Sequence, residues 1–199
     1  MVIYMYYYAD QLLPVRDAIA ELMKKKSRVV AAFDGRAASG KTMAAEWLAQ
    51  QLDGEVIHMD DFFLPMELRC PERFEQPGGN VHYERFADQV LSGLKSNESF
   101  EYQVFDCSVM DYSGTACAGN RPLTIVEGVY SLHPAFEKYY DLAVFFHVDP
   151  EEQKRRILAR NGAVMLNNFT ERWIPLEEKY FAACGVEERC SITTGRTER

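Results

Sequence analysis

Gly35-Arg36-Ala37-Ala38-Ser39-Gly40-Lys41-Thr42 is the stretch on which the interpretation of the chain depends. It fits the pattern G-x-x-x-x-G-K-[ST], in which backbone N–H groups curl around an anion and glycines permit its close approach. In such a loop Lys41 reaches the β- and γ-phosphates of a nucleotide, and Thr42 offers its hydroxyl to Mg²⁺. We therefore predict ATP and Mg²⁺ as cofactors, with a phosphate-binding set of Gly35, Ala38, Ser39, Gly40, Lys41 and Thr42.

The segments around this loop come in the order that the pattern requires. Residues 28–34 are a short apolar run typical of a buried parallel strand, and residues 43–52 predict a helix. An ordinary strand-to-helix turn is the alternative. A dinucleotide-binding fingerprint fits less well, because Ala37 stands where that pattern requires its middle glycine.

Composition limits the class of protein. A chain of 199 residues with 47% hydrophobic content predicts one domain with a substantial core. The net charge of −8 argues against a general partner among nucleic acids or anionic membranes, because both select for a basic surface. No stretch approaches transmembrane length, and the first eight residues lack the features of a signal peptide.

The cysteines indicate the compartment. Their number is five, and no two of them form a C-x-x-C pair, so neither a disulfide framework nor a zinc site is indicated. Reduced thiols are typical of cytosolic proteins. We therefore expect a cytoplasmic protein, and the sequence leaves its oligomeric state open.

Further apolar runs predict the remaining strands of an α/β fold. They cover residues 55–59, 123–126, 142–148 and 191–194, and together with residues 28–34 they predict a mostly parallel sheet of about five strands with helices on both faces. An amphipathic helix at about 10–26, capped by Asp10 and with Pro14 in its first turn, precedes the sheet.

The segment between the second and third strands of this sheet has a different character. Residues 64–80 are rich in proline and glycine and predict a loop, residues 81–94 predict a helix, and residues 102–106 predict a strand followed by a turn at 111–114. The segment is also rich in aromatic residues, which suit either a core or a pocket that stacks a flat ring.

Acidic residues follow two of the predicted strands. Asp60 and Asp61 come after residues 55–59, and Glu127 follows residues 123–126. Ligands bind at the carboxyl ends of parallel strands in such sheets. We predict that Asp60 is the catalytic base and that Asp61, Glu127 and Thr42 hold Mg²⁺, although Asp60 and Asp61 could instead form a helix cap or turn.

A basic helix follows the fourth strand. Asp149 and Pro150 have the residue types of its cap and first position, and the helix carries Arg155, Arg156 and Arg160. One interpretation is a solvated, salt-bridged helix face. The other is a lid, at about residues 151–170, whose arginines neutralise the transferred phosphate and whose hinge is Gly162.

Taken together, these elements resemble the uridine kinase-like family of P-loop kinases, which includes phosphoribulokinase and pantothenate kinase. The resemblance runs from about Val29 to Tyr180. It rests on Gly35 to Thr42, His58 to Phe63, Val126 to Gly128, and Asp149 to Arg160.

The resemblance implies a P-loop NTPase three-layer fold over residues 1–199, with an acceptor-side insertion at about 62–120. It also implies that Asp60 is the base and that Arg155, Arg156 and Arg160 belong to the lid. The stretch 76–83 lacks the aspartate that holds the ribose in uridine kinases, and Phe105 replaces an expected tyrosine. The residues expected to contact the acceptor are Phe62, His82, Tyr83, Phe105 and Tyr130.

These features predict transfer of the ATP γ-phosphoryl group to a hydroxyl of a small-molecule acceptor. A nucleoside such as uridine or cytidine is the first expectation. A kinase for another small alcohol or a sugar phosphate is one alternative, and an ATP-binding regulator without catalytic activity is another.

Overall fold

A five-stranded parallel sheet forms the centre of the computed structural model, which describes residues 2–96 and 98–195. Its strands lie in the order β2-β5-β1-β6-β7, while β3 and β4 form a separate antiparallel hairpin. In the described residues the strands are β1 (Val29–Gly35), β2 (Gly54–His58), β3 (Phe100–Asp106), β4 (Asp111–Ala118), β5 (Leu123–Glu127), β6 (Leu142–Phe146) and β7 (Ile192–Thr194). The predicted α/β fold and its parallel sheet are confirmed.

Helices cover the sheet and build its insertion. In the part of the chain that is described they are α1 (Val2–Met23), α2 (Lys41–Gln51), α3 (Pro71–Glu75), α4 (Tyr83–Phe86), α5 (Ser92–Ser96), α6 (Pro150–Asn168) and α7 (Ile174–Cys184). π-Helical turns at Ala87–Leu91 and Phe169–Trp173 join α4 to α5 and α6 to α7, and 3-10 turns cover Met59–Phe62, Met66–Leu68 and Glu137–Tyr139.

The alternation of side chains along β1 explains the layers. Val29, Ala31 and Phe33 face a core that includes side chains of α1 and α2. Val30 and Ala32 face the opposite core, which includes side chains of α7 and of the insertion between β2 and β5. Because successive residues of a strand point to opposite faces, a strand apolar on both faces needs a covering layer on each side.

Two predicted boundaries were wrong, and residues 64–80, which were predicted as a loop, contain the 3-10 turn Met66–Leu68 and α3. The first helix begins at Val2 rather than at Asp10, so Pro14 lies inside it. A proline inside a helix lacks one backbone hydrogen bond. Complete burial of Val15 and Ile19 beyond it stabilises the helix by packing.

The hairpin corrects the second boundary, because residues 111–114 belong to β4 rather than to a turn. The chain reverses earlier, where the Met110 N–H donates to the Asp106 carbonyl at 2.8 Å. Gly114 pairs with Val104 in the hairpin. Glycine and serine are weak strand formers, so cross-strand pairing decided this assignment rather than local propensity.

The parallel arrangement brings the ends of β1, β2 and β5 to one edge of the sheet. In the strand register Phe33 lies opposite Glu127, and Glu127 lies opposite His58 on its other side. Residues that follow these strands are therefore neighbours in space. None of the described helices is both long enough and apolar enough to cross a membrane.

Candidate active site

The loop after β1 has the backbone of an anion-binding nest. Gly35 has φ 130°, and a Cβ there would lie 2.2 Å from the Phe146 carbonyl oxygen. The loop turns through Ala38, with φ 58°, and Gly40, with φ 99°, and α2 begins at Lys41. Left-handed residues in such a turn direct successive N–H groups into one concave surface. The sequence has glycine where a side chain would clash.

The side chains of the loop fit a bound polyphosphate. Lys41 is 6% exposed, and its ammonium donates to the carbonyls of Gly35 at 2.9 Å and Arg36 at 2.8 Å. Ser39 Oγ is buried and has no hydrogen-bond partner among the described residues. Because buried hydroxyl groups are normally hydrogen-bonded, this orphaned group fits a phosphate oxygen.

Thr42, Glu127 and His58 form a connected polar group. Thr42 Oγ1 donates to Glu127 Oε1 at 3.1 Å, and His58 Nδ1 lies 2.7 Å from the same oxygen. The hydrogen bond to Glu127 is the largest effect on His58 and raises its pKa. Mg²⁺ commonly takes one or two protein oxygens and completes its shell with phosphate and water. The hydroxyl of Thr42 and the carboxylate of Glu127 fit this requirement.

Asp60 lies in the 3-10 turn after β2 and lines a cavity next to the loop. Its side chain is open to that cavity but is otherwise enclosed by protein. Burial is the main effect that raises its pKa, the Glu127 carboxylate adds to the rise, and the Lys41 ammonium opposes it. A carboxylate with a raised pKa is a stronger proton acceptor, which suits a general base.

Asp61 points to a different part of the structure. Its carboxylate accepts a hydrogen bond from the Tyr102 hydroxyl on β3, and its carbonyl accepts one from Arg85. It is not among the residues that line the cavity. Successive residues of a 3-10 turn are rotated by about 120°, so neighbouring side chains point apart. Of the three predicted metal ligands, only Thr42 and Glu127 are brought into contact.

The basic helix α6 begins as predicted, and its arginines lie on different sides of the helix. Asp149 Oδ1 accepts the N–H of Glu151 at 2.9 Å, which confirms the cap. Arg156 Nη1 donates to the Ala38 carbonyl at 3.1 Å, and Arg160 lines the cavity.

Arg155 lies on another side of α6. It is 68% exposed and forms a bidentate ion pair with Glu152. Residues four apart share a helix face and adjacent residues do not. The structure therefore brings Arg156 and Arg160 to the site and leaves Arg155 on the exposed surface.

The cavity has a volume of about 470 Å³. One wall is the phosphate-binding loop, a second comes from Asp60 and the insertion, and a third comes from the second half of α6 and the π-helical turn that joins it to α7. Gly162 interrupts α6 with φ 79°, where the predicted hinge lies. The third wall includes Arg160, Asn161, Met165, Asn168, Phe169 and Trp173.

Among the five residues expected to contact the acceptor, Tyr130 lines the cavity. It has φ 78°, which is unusual for a residue other than glycine. Its N–H donates to Asp34 Oδ1 at 3.2 Å, and its hydroxyl is hydrogen-bonded to Asn80, another cavity residue. These contacts hold the strained backbone and fix the ring against the cavity.

The other four expected residues, Phe62, His82, Tyr83 and Phe105, lie outside the cavity lining. Phe62 is fully buried and contacts the Phe86 ring with centroids 4.9 Å apart. Tyr83 stacks on His133 with centroids 4.7 Å apart. Phe62 therefore belongs to the core that the insertion shares with the sheet, and the stacking of Tyr83 on His133 joins the insertion to the segment after β5. The aromatic residues that line the cavity are instead Phe63, Phe74, Phe169 and Trp173, together with Tyr130.

Asp34 connects the site to its support, and the sequence reasoning missed this role. It is fully buried and accepts hydrogen bonds from the backbone of Gly35 at 2.6 Å, Tyr130 at 3.2 Å and Leu132 at 2.9 Å. The Tyr180 hydroxyl of α7 also donates to it at 2.8 Å. The sequence signal for this role was the position of Asp34, an acidic residue near the end of an otherwise apolar strand.

Glu177 is a second carboxyl group that the sequence reasoning missed. It lines the cavity from α7 and is 3% exposed. Its Oε2 accepts the Ala37 N–H of the loop at 3.1 Å and the side-chain amide of Gln153 at 3.4 Å. Burial raises the pKa of Glu177 to about 7. Its helical neighbours gave no sequence signal of this contact.

Comparisons with solved structures find a similar fold in several proteins that are described as kinases. A protein from Bacillus stearothermophilus described as a possible uridine kinase aligns with a TM-score of 0.66 at 21% identity, over 91% of this chain and 99% of that one. A candidate fructose transport system kinase from a Silicibacter species aligns with a TM-score of 0.70, also at 21% identity, over 92% and 98%.

A circularly permuted P-loop protein from Saccharomyces cerevisiae, described as a candidate kinase, aligns with a TM-score of 0.64 at 12% identity, over 98% of this chain and 99% of that one. No protein-family model matches the sequence, and no curated protein matches it either. The expected resemblance to uridine kinase-like P-loop proteins is confirmed for the fold.

Proposed function

We propose that the chain transfers the γ-phosphoryl group of ATP to a hydroxyl of a small molecule. The observation that carries this proposal is that Asp60 lines the same cavity as Lys41 and Thr42 of the phosphate-binding loop. A hydroxyl compound in this cavity would lie next to both a base and a nucleotide phosphate. Proximity of this kind is a main source of rate enhancement in phosphoryl transfer.

The residues suit the successive demands of that reaction. The Asp60 carboxylate takes the proton of the acceptor hydroxyl as its oxygen bonds to the γ-phosphorus, and the bond to the β-phosphate oxygen breaks to release ADP. Lys41, Arg156 and Arg160 supply positive charge where negative charge develops. Mg²⁺, held by Thr42 and Glu127, would neutralise further phosphate charge.

The third wall of the cavity serves to keep water out. Phe169 and Trp173 line it after the interruption of α6 at Gly162. Water in the site would compete with the acceptor and lead to ATP hydrolysis. We propose that residues 151–170 act as a lid, which closes when nucleotide and acceptor are both bound.

A nucleoside is one candidate acceptor, because aromatic side chains in the cavity can stack on a flat base. Two of the residues expected to contact the acceptor, His82 and Phe105, do not support a nucleoside, because both lie outside the cavity lining. Another small alcohol or a sugar phosphate fits the same catalytic residues. The proposal therefore specifies only that the acceptor carries a hydroxyl group. The location of the protein in the cytoplasm remains a prediction from the sequence.

Acceptor-stimulated ADP release tests the proposal. We expect a panel of nucleosides, sugars, sugar phosphates and hydroxy acids to include a compound that increases ADP release by the wild-type protein. Asp60→Asn should lower this stimulated rate by about 10²-fold or more while still binding a non-hydrolysable ATP analogue. Asp61→Asn is the matched comparison, because it removes the same charge one residue away.

Two results would oppose the proposal. If no compound of the panel stimulates ADP release although the analogue binds, the ATP-binding regulator becomes the better account. If Asp61→Asn loses the stimulated rate and Asp60→Asn keeps it, the base has been assigned to the wrong carboxylate.

A further inference from the structure

Arg69 is a cavity residue that the proposed transfer reaction does not use. The 3-10 turn Met66–Leu68 precedes it, and its Nε donates to the Leu64 carbonyl at 2.7 Å. This hydrogen bond fixes the guanidinium group at the cavity wall. Besides this hydrogen bond, the guanidinium contacts the ring of Phe105 on β3, whose centroid lies 5.9 Å from the guanidinium carbon, and among the described residues Arg69 forms no ion pair with a carboxylate. Its charged donors are thus available to an anion.

Two other arginines of the insertion differ from Arg69, because their guanidinium groups are used within the insertion. Arg73 makes a bidentate ion pair with Glu84 and also donates to the Gly79 carbonyl at 2.9 Å. Arg85 donates to the Gln103 carbonyl at 2.6 Å. Both hold the insertion together. Arg69 has the same residue type and a similar position in sequence, but it lines the cavity and among the described residues it forms no ion pair with a carboxylate.

The surroundings of Arg69 favour an anion. Burial lowers its pKa, and the positive charge of Arg172 lowers it further. The guanidinium carbon of Arg172 lies 4.9 Å from the ring centroid of Phe74, which lines the cavity. Arg69 is partly buried and Arg172 is exposed, and the positive charge of both would attract an anion that binds beside Arg69.

Arg69 also lies within reach of the proposed reaction centre. The pKa of the Cys107 thiol is raised by burial and then by the charge of Asp60, while the charge of Arg69 opposes the rise. Cys107 lines the cavity together with Asp60 and Arg69. The Leu64 N–H donates to the Asn80 carbonyl at 3.3 Å, so the peptide that holds Arg69 is also tied to Asn80. Asp60, Asn80 and Arg69 all line this one cavity, whose volume of about 470 Å³ suits a small molecule.

We propose that Arg69 binds an oxyanion of the acceptor, so that the substrate is a small hydroxyl compound with a carboxylate or phosphate group. The inference rests on the proposed function, because it assigns the other end of the molecule whose hydroxyl lies at Asp60. A planar guanidinium matches the two oxygens of either anion. An uncharged nucleoside leaves this group without a counter-charge.

Oxyanion binding to nucleotide-loaded protein tests the proposal. The loop is first saturated with a non-hydrolysable ATP analogue and Mg²⁺, so that it cannot bind a second anion. Inorganic phosphate and acetate are then titrated in separate experiments while the fluorescence of Trp173, which lines the cavity, is followed. Phosphate represents a phosphate ester, and acetate represents a carboxylate, so the two titrations separate the sources of the oxyanion.

We expect saturable binding of at least one of these anions to the wild-type protein. Arg69→Gln should weaken it about tenfold or more, because two charge-assisted hydrogen bonds are lost. Arg69→Lys keeps the charge and should retain part of the affinity. Arg121→Gln is the matched control, since this exposed arginine pairs with Asp53 away from the cavity, and it should leave the affinity unchanged.

The proposal is overturned if neither anion binds to the loaded wild-type protein, or if Arg69→Gln binds it as tightly as the wild type does. Analogue affinity within about twofold of the wild-type value shows that the variant is folded. If the analogue itself does not bind, the proposed function fails. In that case the same titrations on nucleotide-free Lys41→Ala, which lacks the loop cation, still report on Arg69.

Discussion

The pH dependence of stability should change when Glu177 is replaced by glutamine. Glu177 is buried on α7, where its carboxyl group accepts the Ala37 N–H of the loop at 3.1 Å. Glu177→Gln keeps an oxygen that can accept this hydrogen bond and has almost the same size. The variant therefore removes the ionisation of the side chain with little other change.

The expected magnitude follows from the two pKa values. Burial raises the pKa of Glu177 from 4.5 to about 7 in the folded protein. Because the folded value is the higher one, the stabilising contribution is full below about pH 4.5 and is lost as the pH rises through 7. At about 1.4 kcal/mol per pH unit, the loss is about 3 kcal/mol in total, and most of it falls between pH 5 and 8.

Urea unfolding at pH 5 and pH 8 measures this effect. We expect the free energy of unfolding of the wild type to fall relative to that of Glu177→Gln by about 2–3 kcal/mol between the two values. Glu178→Gln is the matched control, because this neighbouring carboxylate is more exposed and forms an ion pair with Arg36. A wild-type-minus-variant difference that is the same at both pH values, within about 0.5 kcal/mol, would refute the reasoning.

Three further predictions concern other residues in and around the site. Asp34→Asn should lose about 2–4 kcal/mol of unfolding free energy, because an amide group would face buried donors, whereas Tyr180→Phe should lose about 1 kcal/mol. Arg156→Gln should lower kcat in steady-state assays by about 10²-fold or more, while Arg155→Gln, on the exposed side of α6, should stay within about twofold. Gly162→Ala should cost about 1–3 kcal/mol in urea unfolding, because φ 79° with ψ 173° is a conformation that essentially only glycine adopts, although no atom crowds the added Cβ.

The central layer of the fold could be predicted because local signals there agree with one another. Residues 28–34 are apolar on both faces, as a buried parallel strand requires, and the glycines that follow permit the turn. The cap at Asp149 was equally clear, since it depends on the residues immediately after it. Features set by neighbours in sequence were therefore predictable.

Features set by distant neighbours were not. Residues 111–114 look like a turn, yet they pair with β3. Glu177 and Ala37 are 140 residues apart, and no spacing rule connects α7 to the loop. Helix α1 begins at Val2, before its predicted start at Asp10, so Pro14 did not mark the first turn as local preference predicts.

The acceptor side shows the limit of motif reasoning most clearly. Phe62 and Phe63 are adjacent, but the first is in the core and the second lines the cavity. Which of two neighbours faces a ligand depends on the rotation of a short turn, and composition does not determine that rotation. The role proposed for Arg69 could not be predicted from the sequence either, because it depends on which groups lie beside the guanidinium in the folded protein.

The fate of the γ-phosphate is the most direct test of the account. Protein, Mg²⁺ and ATP labelled at the γ-phosphorus are incubated with the acceptor that best stimulates ADP release, and the labelled products are separated. We predict that the label appears in a phosphorylated organic product with the wild type and that Asp60→Asn does not form it although it still binds the ATP analogue. Label found only as inorganic phosphate, or equal product from Asp60→Asn, would contradict phosphoryl transfer through this site.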